Sequence, residues 1–152
     1  MSEAPLLPIV AEISIDASVE IVWEVLTSEA TVPQWLGCMD YRREVGATFF
    51  MQQDPDLKAR GDTEGSTHCT IQLLQKPHKF DFTWFQPGTP ETVVSISLFA
   101  DGPHRTVVRL MHDGWDQFPA DAVREFYEQL DGGWRGAVLP GLKTLAETNP
   151  KG

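Results

Sequence analysis

Residues 119–147 read PADAVREFYEQLDGGWRGAVLPGLKTLAE. Apolar side chains recur there at spacings of three and four: Val123, Phe126, Tyr127, Leu130, Trp134, Val138, Leu142 and Leu145. That is the period of one helix face. Pro119 suits a first helical turn, and Asp121 and Glu125 suit its positive end. The segment therefore reads as a long C-terminal helix whose apolar stripe needs a sheet to lie on. Two features disturb it. Gly132-Gly133 weakens it by roughly 1 kcal/mol per glycine relative to alanine. Pro140 removes a hydrogen bond and crowds the preceding turn, so a kink or break is expected at 139–141.

The sheet lies upstream. In residues 8–16, PIVAEISID, Ile9, Ala11, Ile13 and Ile15 alternate with Glu12, Ser14 and Asp16, as in a half-buried strand. Ser18 offers an N-cap, and Val19, Val22, Trp23 and Leu26 predict an amphipathic helix over 19–27. Ser28 can cap a second short helix ending at Trp35 and Leu36, with Gly37 as the stop. Strand patterns follow at 38–44, 46–53, 66–75, 79–86, 91–100 and 104–112. Turn residues such as Asp54-Pro55-Asp56, Lys76-Pro77, Pro87-Gly88 and Asp101-Gly102-Pro103 separate them. Connections this short favour an antiparallel meander. Alternation assigns shared faces to Phe80, Phe82 and Trp84, to Val94, Ile96 and Leu98, and to Thr106, Val108, Leu110 and His112. Phe49 and Met51 form another pair, and Asp81 points away from the aromatic face.

The chain has 152 residues, which reads as one domain over 1–152. Hydrophobic residues make up 41%, with eight Phe and five Trp, enough for a real core. A net charge of −10 repels phosphate backbones, so neither nucleic acid nor an anionic membrane is an expected partner. No apolar run reaches the roughly 18 residues of a membrane span, and the N-terminus does not read as a secretory signal. Cys38 and Cys69 cannot form a disulfide framework and are expected as free buried thiols. These features describe an acidic, soluble, cytoplasmic domain.

Several segments carry a family signature. Ala17-Ser18-Val19-Glu20-Ile21-Val22-Trp23 is similar to the entry of the first helix in the SRPBCC (START-like) superfamily. Lys76-Pro77-His78-Lys79-Phe80-Asp81-Phe82-Thr83-Trp84 resembles the Pro-then-"ftW" strand pair of one branch. The run from Arg105 to Trp115, RTVVRLMHDGW, resembles that branch's "GT-x-v-x-l-x-H-x-G-W" strand, and Gly133-Trp134 with Leu139 and Leu142 resembles its final helix. The branch is named after the C-terminal domain of the activator of the heat-shock protein 90 ATPase and includes a calicheamicin-resistance protein. The resemblance implies an α+β helix-grip fold. In it a curved antiparallel sheet of about six or seven strands wraps a long C-terminal helix, with two short helices after the first strand. Many relatives hold an apolar ligand between sheet and helix. Others are enzymes or protein-binding domains, so the fold does not fix the function.

No catalytic constellation stands out. There is no Gly-x-Ser-x-Gly elbow, no phosphate loop, and no His or Cys spacing suited to zinc. No metal or cofactor is therefore expected. The aromatic residues carry the leading reading, a cavity for a small apolar or aromatic molecule. Its candidate lining is Trp35, Phe49, Met51, Phe82, Trp84, Ile96, Leu110, Phe126, Leu130 and Trp134, with Thr106, His112 and Tyr127 as polar anchors. Gly132, Gly133 and Ala137 are expected to leave that volume open. His112 is the pivotal residue: it either hydrogen-bonds a ligand or donates a proton, or it is satisfied by a backbone carbonyl or by Asp113. Two other readings stand beside the ligand carrier. One is a co-chaperone-like domain that docks on a chaperone or other protein. The other is a hydrolase or cyclase working in the same cavity. Either a monomer or a homodimer joined at an exposed strand edge fits the pattern.

Overall fold

The computed structural model of the protein describes residues 6–52 and 54–148. Strand β1 is Ile9–Ile15. Helix α1, Val19–Thr27, starts where Ser18 accepts the Ile21 N–H at 3.3 Å, the expected N-cap. Helix α2 is Val32–Trp35. Then come β2 (Thr48–Met51), α3 (Pro55–Ala59), β3 (Thr67–Gln75), β4 (Lys79–Trp84), β5 (Thr92–Ala100) and β6 (Thr106–Asp113). A 3-10 turn at Trp115–Gln117 leads into α4 (Ala120–Gly133). A π turn at Trp134–Val138 then joins α4 to α5 (Leu139–Glu147).

The six strands form one curved antiparallel sheet in the order β1-β6-β5-β4-β3-β2. Every step after β2 is a meander; β1 closes the sheet against β6, with Ile9 opposite His112 and Ile15 opposite Thr106. The alternation read from sequence sets the inner face. Ile9, Ala11, Ile15, Phe80, Phe82, Val94, Ile96, Leu98, Val108 and Leu110 are all buried. Val22 and Leu26 of α1 and Leu139, Leu142 and Ala146 of α5 belong to the same core. Each large apolar side chain buried this way contributes roughly 1.5–3 kcal/mol. The architecture is the α+β helix-grip arrangement.

The sequence expectations fail in several places, each for a local reason. Residues 38–44 do not form a strand, because Gly37 and Asp40 have φ of +75° and +61°. Only Met39 pairs, exchanging backbone bonds with Phe50 at 2.8 and 3.0 Å. Asp54-Pro55-Asp56 starts α3 rather than a simple turn, since the Asp54 carboxylate accepts the N–H groups of Asp56 and Leu57. Ser28 caps the turn before α2 by accepting the Ala30 N–H, and does not cap α2 itself. Asp81 points away from the aromatic face as expected, but the solvated position that alternation suggests for it is not found: it is largely covered and accepts the Ser95 hydroxyl at 2.6 Å.

The C-terminal segment is the largest departure. Its break comes at the π turn, not at 139–141, and Pro140 sits in the first turn of α5. There a missing N–H costs nothing. The Leu139 N–H reaches back to the Trp134 carbonyl, five residues away, which opens the helix ahead of the proline ring. The two halves also pack differently. Helix α5 lies on β1, α1 and α2, whereas the extensive contacts of α4 are with the turns that flank it. No residue of α4 is buried, and Phe126 is 42% exposed.

Parts of both sheet edges are covered. Along β1, the Val10 carbonyl accepts from Arg135, and the Ser14 carbonyl accepts from Lys143 at 3.1 Å. At the other edge β2 is four residues long, and Met39 takes both backbone groups of Phe50.

Gly132 and Ala137 face solvent, and an added Cβ at Gly133 would meet no atom within 4 Å. These small residues open no internal volume. Gly133 has φ −67° and ψ −45°, which alanine adopts freely. Gly133→Ala is expected to stabilise the fold by about 0.4–1 kcal/mol, chiefly by restricting the unfolded chain. Urea unfolding checks this, and a lowered midpoint would contradict the open space around that residue.

Candidate functional site

The sheet and the overhanging α4 leave a cleft of about 290 Å³. Trp84 at the end of β4 and Thr92 at the start of β5 form its floor. The hairpin between them adds Phe85, Gln86, Thr89 and Pro90, and Trp115, Phe118, Ala122, Val123 and Phe126 close the other side. The volume lies at the small end of the roughly 300–1,000 Å³ found for ligand pockets.

Backbone geometry brings the 3-10 turn to this place. Gly114 has φ +106°, and a Cβ there would lie 3.0 Å from the Thr92 Cα and 3.3 Å from the Glu91 carbonyl oxygen. Glycine alone allows so close an approach. The Gln117 amide then ties the turn to the hairpin by donating to the Glu91 carbonyl at 2.6 Å. Asp113 accepts the Gly114 N–H at 2.7 Å, so it serves the turn and not His112.

Behind the floor runs a chain of buried polar groups. The Trp134 indole N–H donates to His112 Nδ1 at 3.2 Å. An indole nitrogen is a donor only, so Nδ1 must accept and the ring proton sits on Nε2. Nε2 then donates to Thr92 Oγ1 at 2.7 Å, and the Thr92 hydroxyl donates to the Trp84 carbonyl at 2.6 Å. The Trp115 indole N–H adds a bond to the His112 carbonyl at 3.1 Å. His112 is fully buried, and burial pushes its pKa down to about 3. Its two nitrogens are both engaged within the protein. Among the described residues, Trp84 Nε1 is the one buried side-chain donor or acceptor with no hydrogen-bond partner.

The thirteen residues proposed from sequence divide into groups. Trp84 and Phe126 line the cleft. His112, Trp134 and Tyr127 lie one layer back: Trp84 meets Trp134 and His112 edge-on at 5.4 and 5.6 Å, and Tyr127 meets Trp115 at 5.5 Å. The Tyr127 hydroxyl donates to the Leu7 carbonyl at 2.9 Å. Leu130 packs on the core from the same helix. The remaining residues are not brought to the cleft. Phe49 and Phe82 stack edge-on at 5.3 Å within the core, where Met51, Ile96 and Leu110 are also buried. The Trp35 indole donates to the Val25 carbonyl at 3.1 Å. Thr106 lies at the far end of β6 from His112 and donates to the Ala17 carbonyl.

Sequence reading missed Trp115, Phe118, Phe85, Pro90, Val123 and Thr92 as cleft residues. The Thr92 signal was present, because the alternation of Val94, Ile96 and Leu98 extends one step back to it. Trp115 and Phe118 had no periodicity to mark them, since they lie in a turn.

Two other candidate chemistries find no geometry. Burial pushes the Cys38 thiol up to about 12 and raises the Cys69 thiol as well, so neither supplies a thiolate at neutral pH. No group of three His, Cys, Asp or Glu side chains able to hold a metal comes together among the described residues. None of their helices is long and apolar enough to cross a membrane.

The family model described as "Activator of Hsp90 ATPase homolog 1-like protein" matches residues 16–147. No curated protein matches the chain. Among solved structures, a protein from Mesorhizobium loti is 21% identical, with a TM-score of 0.74 over 93% of this chain and 98% of its own. An HSP90 activator from Plasmodium falciparum is 15% identical, with a TM-score of 0.71 over 92% and 96%. The Aha1 dimer from Colwellia psychrerythraea is 18% identical, with a TM-score of 0.64 over 95% and 99%. At such identities the likeness establishes the fold alone.

The buried relay makes stability depend on pH. Native His112 stays neutral down to about pH 3, while an unfolded histidine takes a proton below about 6.5. Between those values the unfolded chain binds more protons, so stability falls as pH falls, by up to about 1.4 kcal/mol per unit from this group. Glu147, whose pKa is lowered by the Asp16 N–H and by Lys143, acts in the same sense at lower pH. Urea unfolding at pH 8 and pH 5 should show a difference of about 2 kcal/mol from His112. In NMR spectra the His112 ring signals should hold still over that range. A titration step there would disprove the neutral Nε2–H relay.

Proposed function

The chain belongs to the Activator of Hsp90 ATPase homolog 1-like family, and from that premise we propose that it binds a small apolar or aromatic molecule in the cleft beneath α4. The observation that carries this reading is the unfinished packing of α4. Ala122, Val123 and Phe126 in its N-terminal half line a cleft whose other walls include Trp84, Trp115 and Phe118, and none of the helix's side chains is fully buried. A helix that only supported the core would bury its apolar stripe, as α5 does with Leu139, Leu142 and Ala146.

The polar groups refine the ligand. The relay ends on the Trp84 carbonyl and spends its donors within the protein. Trp84 Nε1 has no partner, but that atom is itself buried and is not a group the cleft presents. The ligand is thus a flat apolar body held by its contact with the aromatic wall.

Tryptophan fluorescence reports on the site directly, since Trp84 and Trp115 line it. Titrating the chain with 1-naphthalenemethanol should change the emission saturably and raise the melting temperature by mass action. Val123→Trp fills the cleft and should abolish the change while the protein stays folded. Unaltered binding by that variant would reject the cleft as the site.

A second reading has one observation behind it. The half-exposed stripe of α4, with Phe126 at 42%, is also a surface on which a partner protein's apolar segment could lie. One structural neighbour is an HSP90 activator, which makes a chaperone the first partner to try. On this reading the chain stimulates an Hsp90 ATPase and Phe126→Asp removes the stimulation. An ATPase rate unchanged by the wild-type chain would eliminate it.

A further inference from the structure

On the reading that the cleft beneath α4 holds a ligand, the polar atoms of its lining show what can orient that ligand. They belong to the side chains of Trp84, Gln86, Thr89, Thr92 and Trp115. The Thr92 hydroxyl donates to the Trp84 carbonyl and accepts from His112. The Trp115 indole donates to the His112 carbonyl. The Thr89 hydroxyl donates to the Gln86 carbonyl at 2.7 Å and accepts the Gln86 N–H at 3.2 Å. Trp84 Nε1 is buried and is not a group the cleft presents. Gln86 alone is uncommitted. Its carboxamide makes no hydrogen bond among the described residues. The residue is exposed, which puts it at the open side of the cleft.

The backbone that carries this carboxamide is held on both sides. Before it, Phe85 exchanges both backbone bonds with His68 of β3, at 2.8 and 3.1 Å. After it, Gln86-Pro87-Gly88-Thr89 closes a turn in which the Thr89 N–H donates to the Gln86 carbonyl at 3.0 Å. Proline in the second position and φ +89° at Gly88 in the third make the turn type II. The Thr89 hydroxyl ties the same turn again, so Thr89 spends its side chain on fixing Gln86 and offers nothing to the cleft. A carboxamide fixed at its Cα beside an aromatic wall loses less freedom when a ligand meets it.

A carboxamide offers an N–H donor beside a carbonyl acceptor in one plane. Its complement is a ligand edge with N–H and C=O side by side, as in a lactam, so that paired parallel bonds form. We infer that Gln86 is the specificity-determining residue of the cleft and that the ligand class is a flat aromatic lactam. Its rings lie against Trp84, Trp115 and Phe126, and its amide edge meets the Gln86 carboxamide. Bonds at the open side compete with water, so the pair sets preference while the aromatic wall supplies most of the affinity.

A matched pair of probes tests this: 2-quinolinone, which carries the lactam edge, and coumarin, the lactone of the same shape without the N–H. Each is titrated into the full chain at pH 7 and followed by NMR. 2-Quinolinone should bind on the order of fivefold more tightly than coumarin. Gln86→Leu should bring their affinities together without changing the melting temperature, because the residue is exposed. Gln86→Glu should turn the preference to 2-aminoquinoline, whose protonated edge offers paired N–H donors to a carboxylate. Equal affinities for 2-quinolinone and coumarin in the wild-type chain, or a preference that survives Gln86→Leu, would overturn the assignment of Gln86 and leave the cleft standing. Failure of both probes to bind, or binding unaltered by Val123→Trp, would instead overturn the cleft reading and this inference with it.

Discussion

The hydrogen bond from the Trp134 indole to His112 Nδ1 joins the C-terminal segment to the end of β6, between β1 and β5. Much of the molecule's shape follows from it. Trp134 is the first residue of the π turn, so the bond holds the chain to the sheet where α4 ends. On the far side of the anchor, α5 runs along β1, α1 and α2 and completes the core. On the near side α4 overhangs. The cleft is the space between that overhang and the β4–β5 hairpin. The bond is directional, since Nδ1 must stay unprotonated to accept it. The low pKa of His112 is therefore a condition of the architecture, and burial supplies it.

Pro140 and the glycine pair take on meaning beside this anchor. A proline four residues beyond a continuous helical turn would strike the carbonyl of Gly136. Widening the turn at Trp134–Val138 sends the Leu139 N–H to the Trp134 carbonyl and lets the proline begin a new helix. π turns of this kind recur at functional sites. Here the widened turn separates a helix that belongs to the core from one that covers a cleft.

Alternation made most of the sheet legible, because period two survives in β1, β5 and β6 and slips in β3 only at the bulge between Ile71 and Leu73. It failed at 38–44, where apolar content imitates a strand but Asp40 adopts a left-handed conformation that composition does not reveal. The candidate site was legible only in part, for a different reason. Alternation says which face a side chain points to and nothing about its height along the strand. Thr106 and His112 share a face of β6, yet one lies under the start of α1 and the other under the cleft. Phe82 and Trp84 share a face of β4, yet only the second reaches the cleft wall. The residues that complete the wall, Trp115 and Phe118, sit in a turn that depends on the φ of Gly114 and on its approach to Thr92. That approach is a long-range fact, and no local pattern carries it.

The division between satisfied and unsatisfied groups also explains what kind of recognition the cleft can perform. Polar groups beside it were candidates for gripping a ligand, but His112, Thr92, Trp134 and Tyr127 are each committed to a protein partner. Breaking such a buried chain to serve a ligand would cost more than the new bond returns, because every group left behind loses its own partner. The relay therefore acts on the cleft indirectly. It fixes the plane of Trp134, on which Trp84 of the cleft wall packs edge-on at 5.4 Å. With those polar groups spent, what the cleft presents is its aromatic and apolar wall. The shape of that wall can thus change through substitutions in the 84–92 hairpin and along α4, while the Trp134–His112 anchor and the α5 core stay as they are.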